Sequence, residues 1–431
     1  MGLAEELQEE TAEVLARLIR FRTVNPPGDE RACQEWLAGY LEDAGLTCEL
    51  HAAEPERPNL VARLPGGDGP TLGYLSHVDT VLADPQDWSA DPWSAEVRDG
   101  FLYGRGAVDM KDQTAAEAVA LATLARRNVK LNGEVKLISV VDEETGGTLG
   151  AQWLTETLPD AARVDYLLNE GAGAVMPYGD RRLYGVCVAE KGTFRFRVRT
   201  TGTAAHASVP GLAENALLKL APAITALGGA KPGFDLTEAT HALLEGLGED
   251  PRDPQGALDS VARIEPRLAP ILDAALRVTF APTIVSAGEK INVIPARAEL
   301  RVDCRVPPGM GIETARRRLG EVLDGDVDVE FTEEVEGNRS PVASPLMDAI
   351  RAWVGEHDPG AEAVPTVLPA FTDCRWFRAA FPDCVAYGFF PQRHQTLYET
   401  WPLMHAKDER IDVRDLGFAA GFFHDLPGRL L

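Results

Sequence analysis

No apolar run in this chain approaches the ~18–20 residues that span a bilayer, so no transmembrane helix is expected. Basic residues are scarce. Lysine and arginine number 42 against 67 aspartates and glutamates, for a net charge of -25. That balance repels phosphates and anionic lipid headgroups, so neither nucleic acid nor a membrane surface is an expected partner. Cysteine is sparse and unpatterned. Cys33, Cys48, Cys187, Cys304, Cys374 and Cys384 show no CxxC spacing, which argues against a disulfide framework or a zinc knuckle and leaves reduced packing residues. The opening stretch MGLAEELQEETAEVLARLIRF lacks the basic start and apolar core of a signal peptide. No internal repeat or low-complexity segment is present. A cytoplasmic location is the resulting expectation.

What remains is ordinary and globular: 431 residues, 45% hydrophobic. At ~100–200 residues per domain, two domains are expected. Apolar spacing predicts helices over Leu3 to Phe21, Arg31 to Ala44 and Thr114 to Arg127. Between them lie short, nearly continuous apolar runs: NLVARL, TLGYLSHVD, EVKLISVVDEE and VDYLLNE. Such strands alternating with helices predict an α/β layer with a largely buried sheet. From about Lys191 the texture changes. In GTFRFRVRTTG the residues Phe194, Phe196 and Val198 alternate with Arg195, Arg197 and Arg199, and AELRVDCRV alternates in the same way. That is the signature of antiparallel strands with one exposed face. The expected division is 1–185, 186–309 and 310–431, the middle segment being an α+β domain inserted into the α/β domain. Residues 231–270 are rich in glycine, proline and acids, with helical pieces, and have no assigned role.

Three apolar strands end in polar groups. His77 and Asp79 follow the second run, Glu143 and Glu144 the third, and Glu170 the fourth. In an α/β sheet, ligands bind beyond the carboxyl ends of the strands. Asp109, in the Gly-rich turn YGRGAVDMKD, adds a further acid. Each residue alone has a plainer reading: a hydrogen-bonded histidine, a helix N-cap, a solvated turn. Together they put several carboxylates in one place with no lysine or arginine from the same strand ends. Buried carboxylates without partners each cost several kcal/mol, roughly, and metal coordination relieves that cost. So many anionic ligands suit two cations about 3.5–4 Å apart, bridged by one carboxylate. Mixed histidine and carboxylate ligands suit Zn²⁺, with Co²⁺ or Mn²⁺ as alternatives. One glutamate of the 143–144 pair would bind metal and the other would take a proton from water. The residues alone do not say which. A second imidazole is also needed, and spacing leaves His51, His206, His241, His357, His394, His405 and His424 open.

Three motifs, SHVDTV, YGRGAVDMKD and DEETGG, in this order, together with RFRTVNPPGDE near the start, resemble the M20 co-catalytic zinc metallopeptidases. That family includes aminoacylases, succinyl-diaminopimelate desuccinylases, acetylornithine deacetylases and glutamate carboxypeptidases. The resemblance runs over nearly the whole chain. It implies a zinc-hydrolase α/β catalytic domain with an inserted α+β lid and dimerisation domain, two Zn²⁺ ions and a homodimer. It implies that His77, Asp109, Glu144, Glu170 and His405 bind metal, with Asp109 bridging. Asp79 would orient His77, and Glu143 would be the general base. His206, in GTAAHASVP, would polarise the scissile carbonyl. Asn292 and Arg305 would hold a substrate carboxylate. Thr372 and Asp373, in AFTDCRWF, and Gly388, in AYGFFP, would lie on the substrate side. The chain departs from the family pattern at Asp112 and Ser76, where glycine is usual, without loss of a ligand. The implied activity is hydrolysis of an amide bond in N-acyl amino acids or short peptides with a free carboxylate. The alternatives are a narrow biosynthetic deacylase of acetylornithine or succinyl-diaminopimelate type, and a non-catalytic metal- or peptide-binding protein.

Overall fold

The computed structural model describes residues 2–323 and 327–431. The chain forms two compact units. One comprises Met1–Val188, Ser340–Thr366 and Thr372–Leu431; the other comprises Ala189–Arg339 and Val367–Phe371. The return to the first unit therefore falls at Ser340, thirty residues later than the expected boundary at 310. The reason lies in packing. Ala315 and Leu319, on the helix Ile312–Gly320, enter the core of the second unit, and strand Asp328–Phe331 pairs with Phe196–Thr201.

In the first unit, strands run in the order Thr47–Ala52, Pro58–Leu64, Val135–Val140, Leu72–His77, Tyr166–Asn169, Val385–Gly388. Leu72–His77 is parallel to both of its neighbours, and Tyr166–Asn169 is parallel to Val385–Gly388. Every residue of Leu72–His77 and of Val135–Val140 is buried. This is why these segments read as continuous apolar runs rather than as alternating ones. On one face Val61, Leu75, Ile138, Val140 and Leu167 pack with Ala151, Leu154, Cys374 and Phe377. Each large apolar side chain buried there contributes about 1.5–3 kcal/mol. On the other face Tyr74 donates its hydroxyl to the Phe423 carbonyl at 2.6 Å. There the helices Leu3–Arg20, Lys111–Arg126 and Val413–Leu430 pack on one another. The buried Lys111 ammonium donates to the carbonyls of Leu18 and Phe21, at 3.0 and 2.9 Å. It thereby adds a second donor to carbonyls at the end of the first helix, which already accept from the Phe21 and Thr23 N–H groups.

In the second unit, the alternation in sequence matches the burial. Phe194, Phe196, Val198, Leu300, Val302, Cys304 and Val306 form a core with Ala216, Leu220 and Leu227. The opposite face is an ion-pair lattice in which Arg195 meets Asp303 and Glu333, and Arg199 meets Glu299 and Glu330. The unassigned stretch 231–270 holds two helices, Glu238–Leu247 and Pro254–Ile264, and runs into a third, Ala269–Leu276. Thr237 and Asp253 cap the first two. Among the described residues no disulfide forms, and five of the six cysteines are buried. Among the described residues no helix is long and apolar enough to cross a membrane.

Candidate metal centre

The parallel strands of the first unit end together, so His77, the Asp142–Glu144 turn and Glu170 leave the sheet side by side. Asp109 reaches them from the turn before Lys111–Arg126, and His405 from a turn just after Trp401–Leu403. Two triads result: His77, Asp109 and Glu170; and Asp109, Glu144 and His405. The ligand atoms within each triad lie within 4.8 Å of one another. Asp109 belongs to both and presents a different oxygen to each. Its Oδ1 is 3.4 Å from His77 Nε2, and its Oδ2 is 2.9 Å from His405 Nε2. Glu144 Oε2 is 3.2 Å from the same His405 nitrogen. Glu170 Oε1 and Glu143 Oε2 lie 3.7 and 3.9 Å from His77 Nε2. Glu143 belongs to neither triad.

The electrostatics fit a missing positive charge. Burial would lower the His77 pKa, but Asp109 and Asp79 outweigh it and raise it well above the usual value. Asp109 and Glu144 push His405 up to about 10. Burial raises Glu143 and Glu170 well above the carboxylate range, with the Glu170 charge adding to the first and the Asp109 charge to the second. Each of these shifts favours a bound proton on an imidazole or a glutamate. A divalent cation substitutes for those protons. His77 Nε2 and Glu144 Oε1 are buried and make no hydrogen bond. Buried ligand atoms without a hydrogen-bond partner, one in each triad, are expected of groups around ions.

The surrounding contacts show how the cluster is held. The Asp79 carboxylate accepts from the backbone N–H groups of Glu143 and Glu144, at 3.2 and 3.1 Å. His77 Nδ1 sits 3.0 Å from the Asp79 carbonyl and 3.4 Å from its carboxylate. Asp79 therefore serves the glutamate turn as well as the imidazole. Glu409, fully buried, accepts from the amides of Val108 and Asp109, at 2.8 and 3.3 Å, and pairs with Arg105. Arg105 in turn donates to the His405 carbonyl at 3.3 Å. One ion pair thus ties the Asp109 turn to the His405 turn. On a third side, the Gly146 carbonyl accepts from Arg375 at 2.6 Å and from the Trp376 indole at 3.3 Å.

Thr372 and Gly388 contact Asn169, at the end of the strand that leads to Glu170. The Thr372 hydroxyl accepts from the Asn169 amide at 3.1 Å and from the Cys374 N–H at 3.2 Å. A Cβ at Gly388 would collide with the Glu170 carbonyl, so this position needs glycine to bring the strand against the Glu170 backbone. Asp373, expected beside Thr372 on the substrate side, is buried, with one oxygen unpartnered. Its charge helps to raise Glu143 and Glu170. Asp112, at the start of the buried helix, is itself buried and both its oxygens lack partners.

His206, Asn292 and Arg305 belong to the second unit. His206 is exposed, and Ser208 lies 2.7 Å from its Nδ1. The Asn292 carbonyl accepts from the Ala207 N–H at 2.9 Å, so these two segments lie side by side. Arg305 pairs with Asp303 at 2.7 Å, lies 5.5 Å from the Phe371 ring, and keeps Nη1 unpartnered.

This cluster of imidazoles and carboxylates at the ends of a parallel sheet is the equipment of a metal-dependent hydrolase. The chain belongs to the peptidase family M20/M25/M40, whose model matches residues 73–428. It is 27% identical over 408 residues to the succinyl-diaminopimelate desuccinylase of Nitrosomonas eutropha, covering 93% of this chain and 92% of that one. It is 32% identical over 219 residues to the enzyme of the same name from Marinobacter nauticus, covering 50% and 56%. The match to that second enzyme thus spans only about half of its length. Among solved structures, an M20 family metallo-carboxypeptidase from Sulfolobus solfataricus superposes with a TM-score of 0.74 at 20% identity, covering 98% of this chain and 99% of that one.

Proposed function

We propose that this protein hydrolyses an amide bond in N-acyl amino acids or short peptides that carry a free carboxylate. Two divalent ions, Zn²⁺ being the best match to the donor set, would be held by His77, Asp109 and Glu170, and by Asp109, Glu144 and His405. The observation that carries this reading is that Asp109 gives one oxygen to each triad while Glu143 stays outside both. Bound there, a metal pair lowers the pKa of a water molecule and polarises a carbonyl. Glu143 takes a proton from the attacking water onto its carboxylate and passes it to the leaving nitrogen. At His206, the Ser208 N–H points at Nδ1 from 3.3 Å. Nδ1 is therefore an acceptor, and the ring proton sits on Nε2, where it donates to the substrate carbonyl oxygen. Asn292 and the free Nη1 of Arg305 bind the substrate carboxylate.

The test is a panel of N-acetyl and N-succinyl amino acids and dipeptides given to zinc-supplied protein. Turnover of at least one, abolished by chelator and restored by metal, is the expected result. Arg305→Ala should raise KM for that substrate about 10–100-fold, the value of a hydrogen bond to a charged group. The same substrate with its carboxylate amidated should be unaffected. An equal effect on both would remove Arg305 from carboxylate binding. The near full-length likeness to a desuccinylase favours a narrower reading, in which the acyl group is itself a carboxylate. Exclusive turnover of the N-succinyl substrates would select it.

The second unit is the proposed dimer contact. Its strand Thr279–Ala287 pairs on one side only among the described residues, and leaves Ile284 and Val285 more than half exposed. An apolar edge strand of this kind is a template for pairing with another chain. Val285→Asp should convert a dimer to a monomer in sedimentation experiments. A native monomer would refute the contact.

A further inference from the structure

The loop RTVNPPGDE belongs to the family pattern, and Arg57 lies outside every motif. We propose that Asn25 and Arg57 are positioning residues that set the Glu143–Glu144 turn, controlling turnover without touching substrate or metal. The inference rests on the reading of Glu143 as the base.

Three carboxylates, Glu30, Asp79 and Asp142, are buried together with a single guanidinium, that of Arg57. The Asn25 amide nitrogen lies between two of them, 2.9 Å from Asp79 Oδ2 and 3.2 Å from Asp142 Oδ1. It is also 3.1 Å from the Thr145 hydroxyl. That hydroxyl donates to Asp142 at 2.6 Å. The two hydrogens of the amide are thus shared among three acceptors, the Asp79 and Asp142 carboxylates and the Thr145 hydroxyl. Asn25 is placed by its backbone. Its N–H donates to the Thr80 carbonyl, and the Thr80 N–H donates to Thr23, both at 2.9 Å. The loop is thus strapped along the very segment that carries Asp79.

Both carboxylates that Asn25 joins act on the glutamate turn. Asp79 holds the amides of Glu143 and Glu144. Asp142 opens the turn at φ +71°, in the left-handed region that disfavours residues other than glycine. Its carboxylate is held there by Thr145, Thr148, the Leu149 N–H, Asn25 and Arg57, at 2.6–3.2 Å. Arg57 grips Glu30 with two nitrogens, at 2.9 and 2.7 Å, and gives a third to Asp142 at 3.2 Å. A Cβ at Gly28 would collide with the guanidinium, so the loop passes directly over it. Without Asn25, two buried carboxylates face each other with no shared donor, and their repulsion acts on the groups that aim Glu143. Without the Arg57 fork, Asp142 loses its countercharge. A lysine there keeps the charge but not the geometry.

The experiment compares Asn25→Ala and Arg57→Lys with the unaltered chain. All are zinc-loaded and assayed on the best substrate of the panel, with metal content and thermal unfolding measured on each. The expected result is a kcat about 10–100-fold lower per metal-loaded site, the scale of a misplaced catalytic group, with KM changed less than about twofold. Two ions should remain bound. The double variant Asn25→Ala/Glu143→Gln should be no slower than Glu143→Gln alone, because the loss acts through the same carboxylate. Arg57→Lys keeps the test open should Asn25→Ala fail to fold, and is combined with Glu143→Gln in the same way. A lowered melting temperature with unchanged kcat per loaded site would make these residues merely structural and overturn the proposal. So would losses that multiply in the double variants. Full turnover by Glu143→Gln alone would instead remove the base assignment, whatever Asn25 does.

Discussion

Glu143→Gln protein should keep two metal ions and fold normally, yet turn substrate over about 10²–10⁴-fold more slowly, the usual contribution of a positioned general base. The expectation follows from where the side chain stands. Its Oε2 approaches His77 Nε2 to 3.9 Å, at the edge of one triad, without being a member of either. Its backbone N–H is pinned by Asp79. Burial first, and the Glu170 charge second, raise its pKa well above that of an ordinary carboxylate. That is the direction a base needs if it is to accept and hold a proton near neutral pH. Glutamine keeps the size and hydrogen bonding but accepts no proton. KM should therefore move little while kcat falls.

The neighbouring substitution provides the contrast. Glu144 Oε2 lies 3.2 Å from His405 Nε2, inside the second triad. Glu144→Gln should lower metal content as well as turnover. Two adjacent glutamates with the same chemistry would thus be told apart by which loss accompanies the other. Undiminished turnover in Glu143→Gln with both ions bound would refute the base role. Loss of metal in Glu143→Gln would make it a ligand.

The same pair marks how far the sequence could be read. Strand ends carrying His77, Glu143, Glu144 and Glu170 were visible because fully buried parallel strands leave continuous apolar runs that stop at the site. Pattern alone could not order the two glutamates, because their difference is which way each side chain leaves a three-residue turn. Nor could it choose His405 from among seven histidines. His405 comes from a loop more than 290 residues beyond Asp109 and sits at φ +59°. Family resemblance selected it. The supports were invisible for a similar reason: Arg105 and Glu409 are 304 residues apart, and Asn25 and Asp142 are 117 apart. A clue was present in each case, since Arg105 and Asn25 both lie inside quoted motifs and Glu409 follows His405 by four residues. The second unit was misjudged in extent because the helix Ile312–Gly320 is amphipathic and has the same pattern in either unit. Only its contacts assign it. In 231–270 helical pieces were legible, but the prolines and glycines between them hid where each begins and ends. There Pro254 opens a helix, and Gly248 closes one at φ +84°.

Removal of the Asp109 side chain should have the largest effect on metal. Asp109→Ala should bind one ion per chain or fewer, where the unaltered protein binds two, and its turnover should fall with the metal. The loss is expected at both positions because each triad gives up its shared member. His77 is left with Glu170 at 3.7 Å, and His405 with Glu144 at 3.2 Å. Two ligands do not make the closed protein set of three that a catalytic zinc site uses. The backbone should stay in place, since Glu409 holds the amides of Val108 and Asp109 without help from the aspartate side chain. Proton release should fall in step, because metal binding displaces the protons that the imidazoles and carboxylates otherwise hold. The measurement is elemental analysis of protein purified without chelator and then supplied with zinc, beside calorimetry in two buffers of different ionisation enthalpy. Two ions in Asp109→Ala would show that the aspartate does not bridge. No metal in the unaltered chain would mean that the buried acids are paired by protons alone, and the hydrolytic mechanism would fall with the metal.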